Sequence, residues 1–309
     1  MQSLISKDTY WGEFDEDKMD HLLFLYKTEK FEEGREYIDK ALKRTDFIFG
    51  KARSDFLYAV SLNKESVCLD IGCGLGVHTF NMAPLVKEVH SCDLSKKRVQ
   101  FCEYRKTESK QENVFLYHSD IGHLNFKENT FDFIVMNGVV EWLGEQHIYL
   151  DPRMDQIETL KKVRSLLKPG GVLYIGIENR YALTYLHNAK DHNRLKYTTF
   201  MPRFLADWVT RQKLGKPYRT YTYSKWGYEK LLQDAGFNIS LAKFYVAHPG
   251  YNMPQYLIDV DDIGSFKFFF SMILSGKRFL SHFRWIYENT VFIKIARYFF
   301  YSYAIFAKK

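Results

Sequence analysis

The chain has 309 residues, 46% of them apolar, four cysteines and a formal charge of +7. That size and apolar content suit one large α/β domain with additions or two small ones, and exclude a disordered or low-complexity chain. Cys68, Cys73, Cys92 and Cys102 lack metal-ligand spacing and read as small buried residues of a reducing compartment rather than a disulfide framework. The first residues carry no signal-like apolar core, and no apolar run approaches the roughly 18 residues that span a bilayer, so the expected location is the cytoplasm.

Taken in order, residues 8–63 show apolar positions at mixed three and four spacing among charges, the pattern of a helical segment. We expect residues 1–63 to form an N-terminal helical cap, joined to the rest by the polar stretch at 63–66. Residues 67–76, Val-Cys-Leu-Asp-Ile-Gly-Cys-Gly-Leu-Gly, are an apolar run stopped by three glycines, and a helical pattern follows over 77–85. Glycines 72, 74 and 76 permit positive φ and allow bare backbone to approach a ligand. Dinucleotide folds carry G-x-G-x-x-G with a pyrophosphate at the helix N-terminus, whereas here the spacing is G-x-G-x-G. Asp70, two residues before the first glycine, would repel a pyrophosphate and suits an ammonium group. The bland alternative is a purely structural glycine turn.

A short strand over 88–92 runs into Asp93-Leu94-Ser95, and a helix follows over 96–105. Asp93, at the end of a second strand, is placed to accept two ribose hydroxyls, or else Asp93 or Ser95 caps the helix. Strand three at 113–117 leads to Ser119-Asp120-Ile121. Strand four at 131–136 exits through Asn137-Gly138-Val139-Val140-Glu141-Trp142, on the side where open α/β sheets bind ligands. The helix at 155–167 stops at Lys168-Pro169-Gly170-Gly171, a terminating and turn-forming run, and strand five at 172–177 exits through Glu178-Asn179-Arg180. Some 45 residues then precede the helix at 224–235, which makes 179–223 a lid or binding insertion with a helix of its own at 202–213. Strand six at 237–245 exits at 248–252. A second insertion at 263–300 precedes a last strand at 301–307.

The loop Asp70-Ile71-Gly72-Cys73-Gly74-Leu75-Gly76 and the run Leu166-Leu167-Lys168-Pro169-Gly170-Gly171 before a strand resemble motifs of the class I S-adenosylmethionine-dependent methyltransferases. The resemblance covers about 53–248 and the last strand. It implies a doubly wound, Rossmann-like, seven-stranded α/β sheet, with residues 64–309 as the methyltransferase domain. It further implies that S-adenosylmethionine is held by Asp70, Gly72, Cys73, Gly74 and Gly76 at its methionine part and by Asp93 and Leu94 at the ribose. Asp120 and Ile121 match the adenine contacts, and Asn137 and Gly138 match the exit of strand four. Gly138-Val139-Val140-Glu141-Trp142, Ile177-Glu178-Asn179-Arg180, Asp191-His192 and Ala235-Gly236-Phe237 are similar to a narrower group, found with glycosyltransferases in bacterial surface-polysaccharide synthesis. Trp142 departs from that group, as does the aromatic C-terminal insertion, and both departures concern the acceptor rather than the donor.

Methyl transfer to a hydroxyl needs alignment, exclusion of water and a proton acceptor. His192 is the first candidate base because an imidazole titrates near neutrality, and Glu141 and Glu178 are the others. No metal site is expected. The leading reading is O-methylation of a sugar, glycan or other small anionic acceptor. RNA methylation and a cofactor-holding protein without turnover stand as alternatives, although no nucleic-acid module is recognisable, and an NAD-dependent reductase is opposed by Asp70 and the glycine spacing. The charge itself is uneven: residues 187–226 carry nine Lys/Arg against two acids, and residues 264–309 carry eight against one. Both insertions leave strands whose C-terminal ends face the ligand side, so the two basic segments are expected to steer an anionic acceptor. The aromatic richness of the second segment, with Phe268–Phe270 and Lys277-Arg278, also suits either core packing or peripheral contact with an anionic membrane at its inner face.

Overall fold

The computed structural model describes residues 16–42, 46–145, 151–275 and 289–309. Eight strands form one mixed sheet of Rossmann-like type in the order β3-β2-β1-β4-β5-β8-β6-β7. They are β1 Val67–Ile71, β2 Glu88–Asp93, β3 Val114–His118, β4 Phe131–Asn137, β5 Leu167–Glu178, β6 Lys243–His248, β7 Tyr256–Asp259 and β8 Ser302–Lys308. The chain divides into two compact units: Met1–Met136 with Lys162–Leu173 and Lys309, and Asn137–Lys161 with Tyr174–Lys308.

In the first unit β1 lies parallel to β2 and to β4, and β2 parallel to β3. A strand flanked on both edges and covered on both faces needs a continuous apolar run, and Cys68, Leu69, Asp70 and Ile71 are all buried. After the glycine turn comes the helix Val77–Met82, shorter than its apolar pattern suggested because Pro84 follows closely. Ser95, not Asp93, caps the helix Lys96–Ser109 by accepting from the Arg98 amide. The helices Glu16–Lys27 and Phe31–Leu42 bury Met19, Leu22, Tyr26 and Ile38 against Leu75 of the glycine turn and Phe101. Each such side chain is worth about 1.5–3 kcal/mol. The N-terminal helices therefore brace the turn they precede.

In the second unit β6 pairs antiparallel with β8 on one edge and with β7 on the other. The β7 strand is an eighth member of a sheet expected to hold seven. Its Ile258 turns inward and Val260, just beyond it, is fully buried, so residues 256–259 cover the β6 edge that would otherwise stand open. Two boundaries also differ from expectation. Lys168-Pro169-Gly170-Gly171 belongs to β5 rather than to a turn: Gly170 takes φ +78°, and its amide and the Gly171 carbonyl bond with Lys309. β6 begins at Lys243 instead of 237, because the Asn238 side chain accepts from the Ser240 amide and winds Ile239–Leu241 into a 3-10 turn.

The first insertion is tied down by the residues that leave β5. Asn179 donates from Nδ2 to the carbonyls of Tyr298 and Phe300 at 2.6 and 2.8 Å. Arg180 donates to the carbonyls of Thr199 and Met201, both at 2.7 Å. Asp191 is buried and accepts from the amides of Asn193 and Leu195 and from the Thr198 hydroxyl. A rigid loop then carries the next side chain, His192. Lys277 and Arg278 lie outside the described residues.

Candidate active site

The first unit holds the glycine turn. Gly72, Gly74 and Gly76 take φ of +71°, +56° and +82°, so each occupies the left-handed region that side chains resist. The amides of Gly72 and Cys73 donate to the Cys92 carbonyl, and Asp93 accepts from the Gly74 amide and the Ser95 amide, both at 2.9 Å. Asp93 thus joins the end of β2 to the turn, with Arg98 at 3.9 Å adding a cation. Each of its oxygens keeps a further lone pair for a ligand hydroxyl.

Asp70 is almost completely buried and accepts from the Thr79 hydroxyl at 2.7 Å. Thr79 in turn bonds Ser91 at 2.9 Å. Burial pushes the Asp70 carboxyl up to about 7, with the Thr79 bonds pulling the other way. This carboxylate pins the first turn of Val77–Met82 to β1 and β2, a role that sequence reading did not assign to it. Cys73 is buried; Leu94 is half-buried, with its carbonyl 3.0 Å from His118 Nε2. Asp120 caps a short 3-10 turn and pairs with His123, and Ile121 beside it is buried. All four cysteines are buried free thiols.

The second unit holds a different assembly. Glu141 follows β4, Glu178 ends β5 and His192 stands on the Asp191 loop. His192 Nε2 lies 3.5 Å from Glu141 Oε1 and 3.4 Å from Glu178 Oε2. Tyr251 donates to Glu178 Oε1 at 3.2 Å, and the Trp142 ring meets the imidazole edge-on at 4.9 Å. Sequence reading marked 248–252 as a strand exit without giving Tyr251 a role. Asn137 and Gly138 open the same unit: Gly138 has φ +69° and donates to the Gly176 carbonyl, while the buried Asn137 Oδ1 has no hydrogen-bond partner.

The charge state of this cluster follows from its geometry. Burial alone would lower the His192 pKa, but the two carboxylates beside it, Glu178 foremost, hold it well above the usual histidine range. Burial raises Glu141, and the neighbouring Glu178 adds to that rise. Glu178 is held below the ordinary carboxylate range, against its own burial, by His192 and Tyr251. The two carboxylates therefore favour the charged form of His192, which weighs against its service as the near-neutral base expected of it. The group raised toward the protonated form is Glu141, fully buried, with His192 Nε2 at 3.5 Å from Oε1 as its cationic neighbour. The three ligating atoms lie within 4.8 Å of one another, so two carboxylates and, once it has lost its proton, the imidazole form a set that a divalent cation could share.

The family model described as "Methyltransferase domain" matches residues 62–235. An uncharacterised protein of Rickettsia prowazekii is 32% identical over 194 residues, which is 58% of this chain and 70% of that one. A demethylmenaquinone methyltransferase of Geobacillus is 29% identical over 124 residues, 39% of this chain. The chain spans 49% of that enzyme's length, about half. A crystal structure of a SAM-dependent methyltransferase from Aquifex aeolicus superposes with a TM-score of 0.42 at 17% identity, covering 63% of this chain and 83% of that one.

Proposed function

From the premise that this chain belongs to the methyltransferase-domain family, we propose that it methylates a hydroxyl oxygen of a sugar or glycan acceptor bearing negative charge. The protein is an S-adenosylmethionine-dependent methyltransferase. The residues of the glycine turn fit that cofactor: three left-handed glycines leave bare backbone, and Asp93 retains free acceptor positions for ribose hydroxyls. When bound, the sulfonium supplies an electrophilic methyl group; everything else is left to this chain's side chains.

The observation that carries the acceptor reading is Glu141. Glu141 is fully buried and its one charged neighbour, His192, stands at 3.5 Å from Oε1, beyond a short hydrogen bond, so the carboxylate is left under-satisfied in hydrogen-bond donors, at about 1–3 kcal/mol per unsatisfied group. Hydroxyl groups of a polyol supply such donors. As the acceptor oxygen gains its new carbon bond its O–H bond breaks, and the proton passes to Glu141. His192 steadies the carboxylate before the transfer, and Glu178, held by Tyr251, keeps His192 charged. Negative charge on the acceptor is favoured by Arg180 and Arg203. Burial first, and then the nearby Arg203, lower the Arg180 guanidinium from its ordinary value, and both side chains hydrogen-bond to backbone carbonyls. The motifs that resemble those of methyltransferases of surface-polysaccharide synthesis favour a glycan, whereas relatives are named for a quinone and for malonyl-[acyl-carrier protein].

A screen of phosphorylated sugars, nucleotide sugars and glycans, read by release of S-adenosylhomocysteine, tests the proposal. With the acceptor found, Glu141→Gln should lower kcat by roughly 10²- to 10⁴-fold, the usual cost of a lost general base, while cofactor affinity is unchanged. Full turnover by Glu141→Gln would remove this carboxylate from the chemistry.

A further inference from the structure

Among the described residues no helix is long and apolar enough to cross a membrane, yet most of the large apolar side chains that stand exposed belong to the two basic insertions. In the helix Arg203–Leu214, Ala206 and Thr210 face the protein and are fully buried. On the opposite side Phe204 is 77% and Trp208 59% exposed. Four residues apart, they lie one turn above the other, and Arg211 continues the same face. Exposed Lys190, Arg194, Lys196 and Lys213 flank this helix in sequence, and the surrounding 187–226 segment carries nine basic residues against two acids. One of those acids, Asp191, is buried in its loop; the other, Asp207, pairs with Arg211.

We propose that the face of helix Arg203–Leu214 bearing Phe204 and Trp208 rests on an anionic lipid surface. Two requirements of an interfacial helix are present together: aromatic side chains able to sink to the headgroup boundary, and exposed Lys and Arg drawn to anionic lipid. Neither would be needed for the helix to pack, since its buried side is already formed by small residues. A partner protein would equally accept the apolar side chains, but the exposed Lys190, Arg194, Lys196 and Lys213 select an anionic surface. In the second insertion Phe268, Val291 and Ile295 also stand exposed, the last two close to the exposed Lys294 in sequence. The inference concerns where the enzyme works and stands whether or not the acceptor is a glycan.

Co-sedimentation of the full chain with phosphatidylglycerol-containing vesicles, against pure phosphatidylcholine, reads the contact without turnover. We expect binding to the anionic vesicles only, weakened by salt. Phe204→Ser/Trp208→Ser should lose about tenfold or more of it, with cofactor binding and melting temperature retained. No binding to anionic vesicles overturns the proposal and leaves the face to a protein. Wild-type binding by the Phe204→Ser/Trp208→Ser protein overturns it too, as does a loss seen only in Phe268→Ser/Phe292→Ser, which would move the contact elsewhere.

Discussion

Replacing His192 with Gln, which keeps size and a hydrogen-bonding tip, should destabilise the protein far more than replacing Glu141 with Gln. At an effective dielectric near 20, an ion pair at 3.4–3.5 Å is worth about 4–5 kcal/mol. His192→Gln removes two such attractions and leaves Glu141 and Glu178 facing each other in the interior, within 4.8 Å. The recovered desolvation of one imidazolium offsets only part of that. Removing one partner of a buried pair typically costs about 3–5 kcal/mol, and we expect a loss in that range. Glu141→Gln forfeits one attraction, but it also removes a repulsion from Glu178 of about 3–4 kcal/mol and the desolvation of a fully buried carboxylate. Its net effect should be within about 1 kcal/mol of zero. Urea unfolding followed by circular dichroism near neutral pH, with equal m-values for all proteins, measures both. Equal losses in the two variants, or a His192→Gln protein as stable as wild type, would show that the cluster is not an imidazolium between two carboxylates.

The pH dependence of stability has a definite sign at this site: His192 is raised in the fold, so its contribution is whole below the unfolded value of about 6.5 and fades as pH climbs through the higher folded value. Wild type should lose stability on the alkaline side, and His192→Gln should lack that slope. Asp70, raised from 3.8 to about 7, has its stabilising share below 3.8 and loses it up to 7. Asp70→Asn should therefore gain on wild type by a few kcal/mol between acid and pH 8, while calorimetry finds weaker S-adenosylmethionine binding; a parallel pH curve for the two proteins would rule this out. Gly176→Ala would place Cβ 2.0 Å from Asn137 Oδ1 and 3.1 Å from Tyr251 Cδ2. We expect about 1–3 kcal/mol of destabilisation with a fall in kcat as the Tyr251–Glu178 bond loosens, and an unchanged melting temperature and turnover would contradict the packing described.

What could be read from the chain alone was local chemistry. The buried run Cys68–Ile71, three glycines at alternate positions and a helical pattern after them specify a strand, a left-handed turn and a helix, because each depends on a few adjacent φ/ψ choices. The acids at the ends of strands, Asp93 and Asp120, were legible for the same reason. Tertiary structure decided what these groups do. Asp70 looked like a ligand-facing carboxylate, and only its burial against Thr79 and Ser91 shows it bracing the turn. Residues 256–259 have too short a pattern to declare a strand, and it is the open edge of β6 that makes them one. Glu141, Glu178 and His192 were each conspicuous, yet nothing along the sequence states that a side chain 51 residues from one acid and 14 from the other touches both. Their convergence fixes the proton inventory. An isolated histidine titrates near neutrality, but one set between two carboxylates is pushed toward its charged form, because pKa depends on the solvent excluded and the charges brought near. Both are properties of the folded interior.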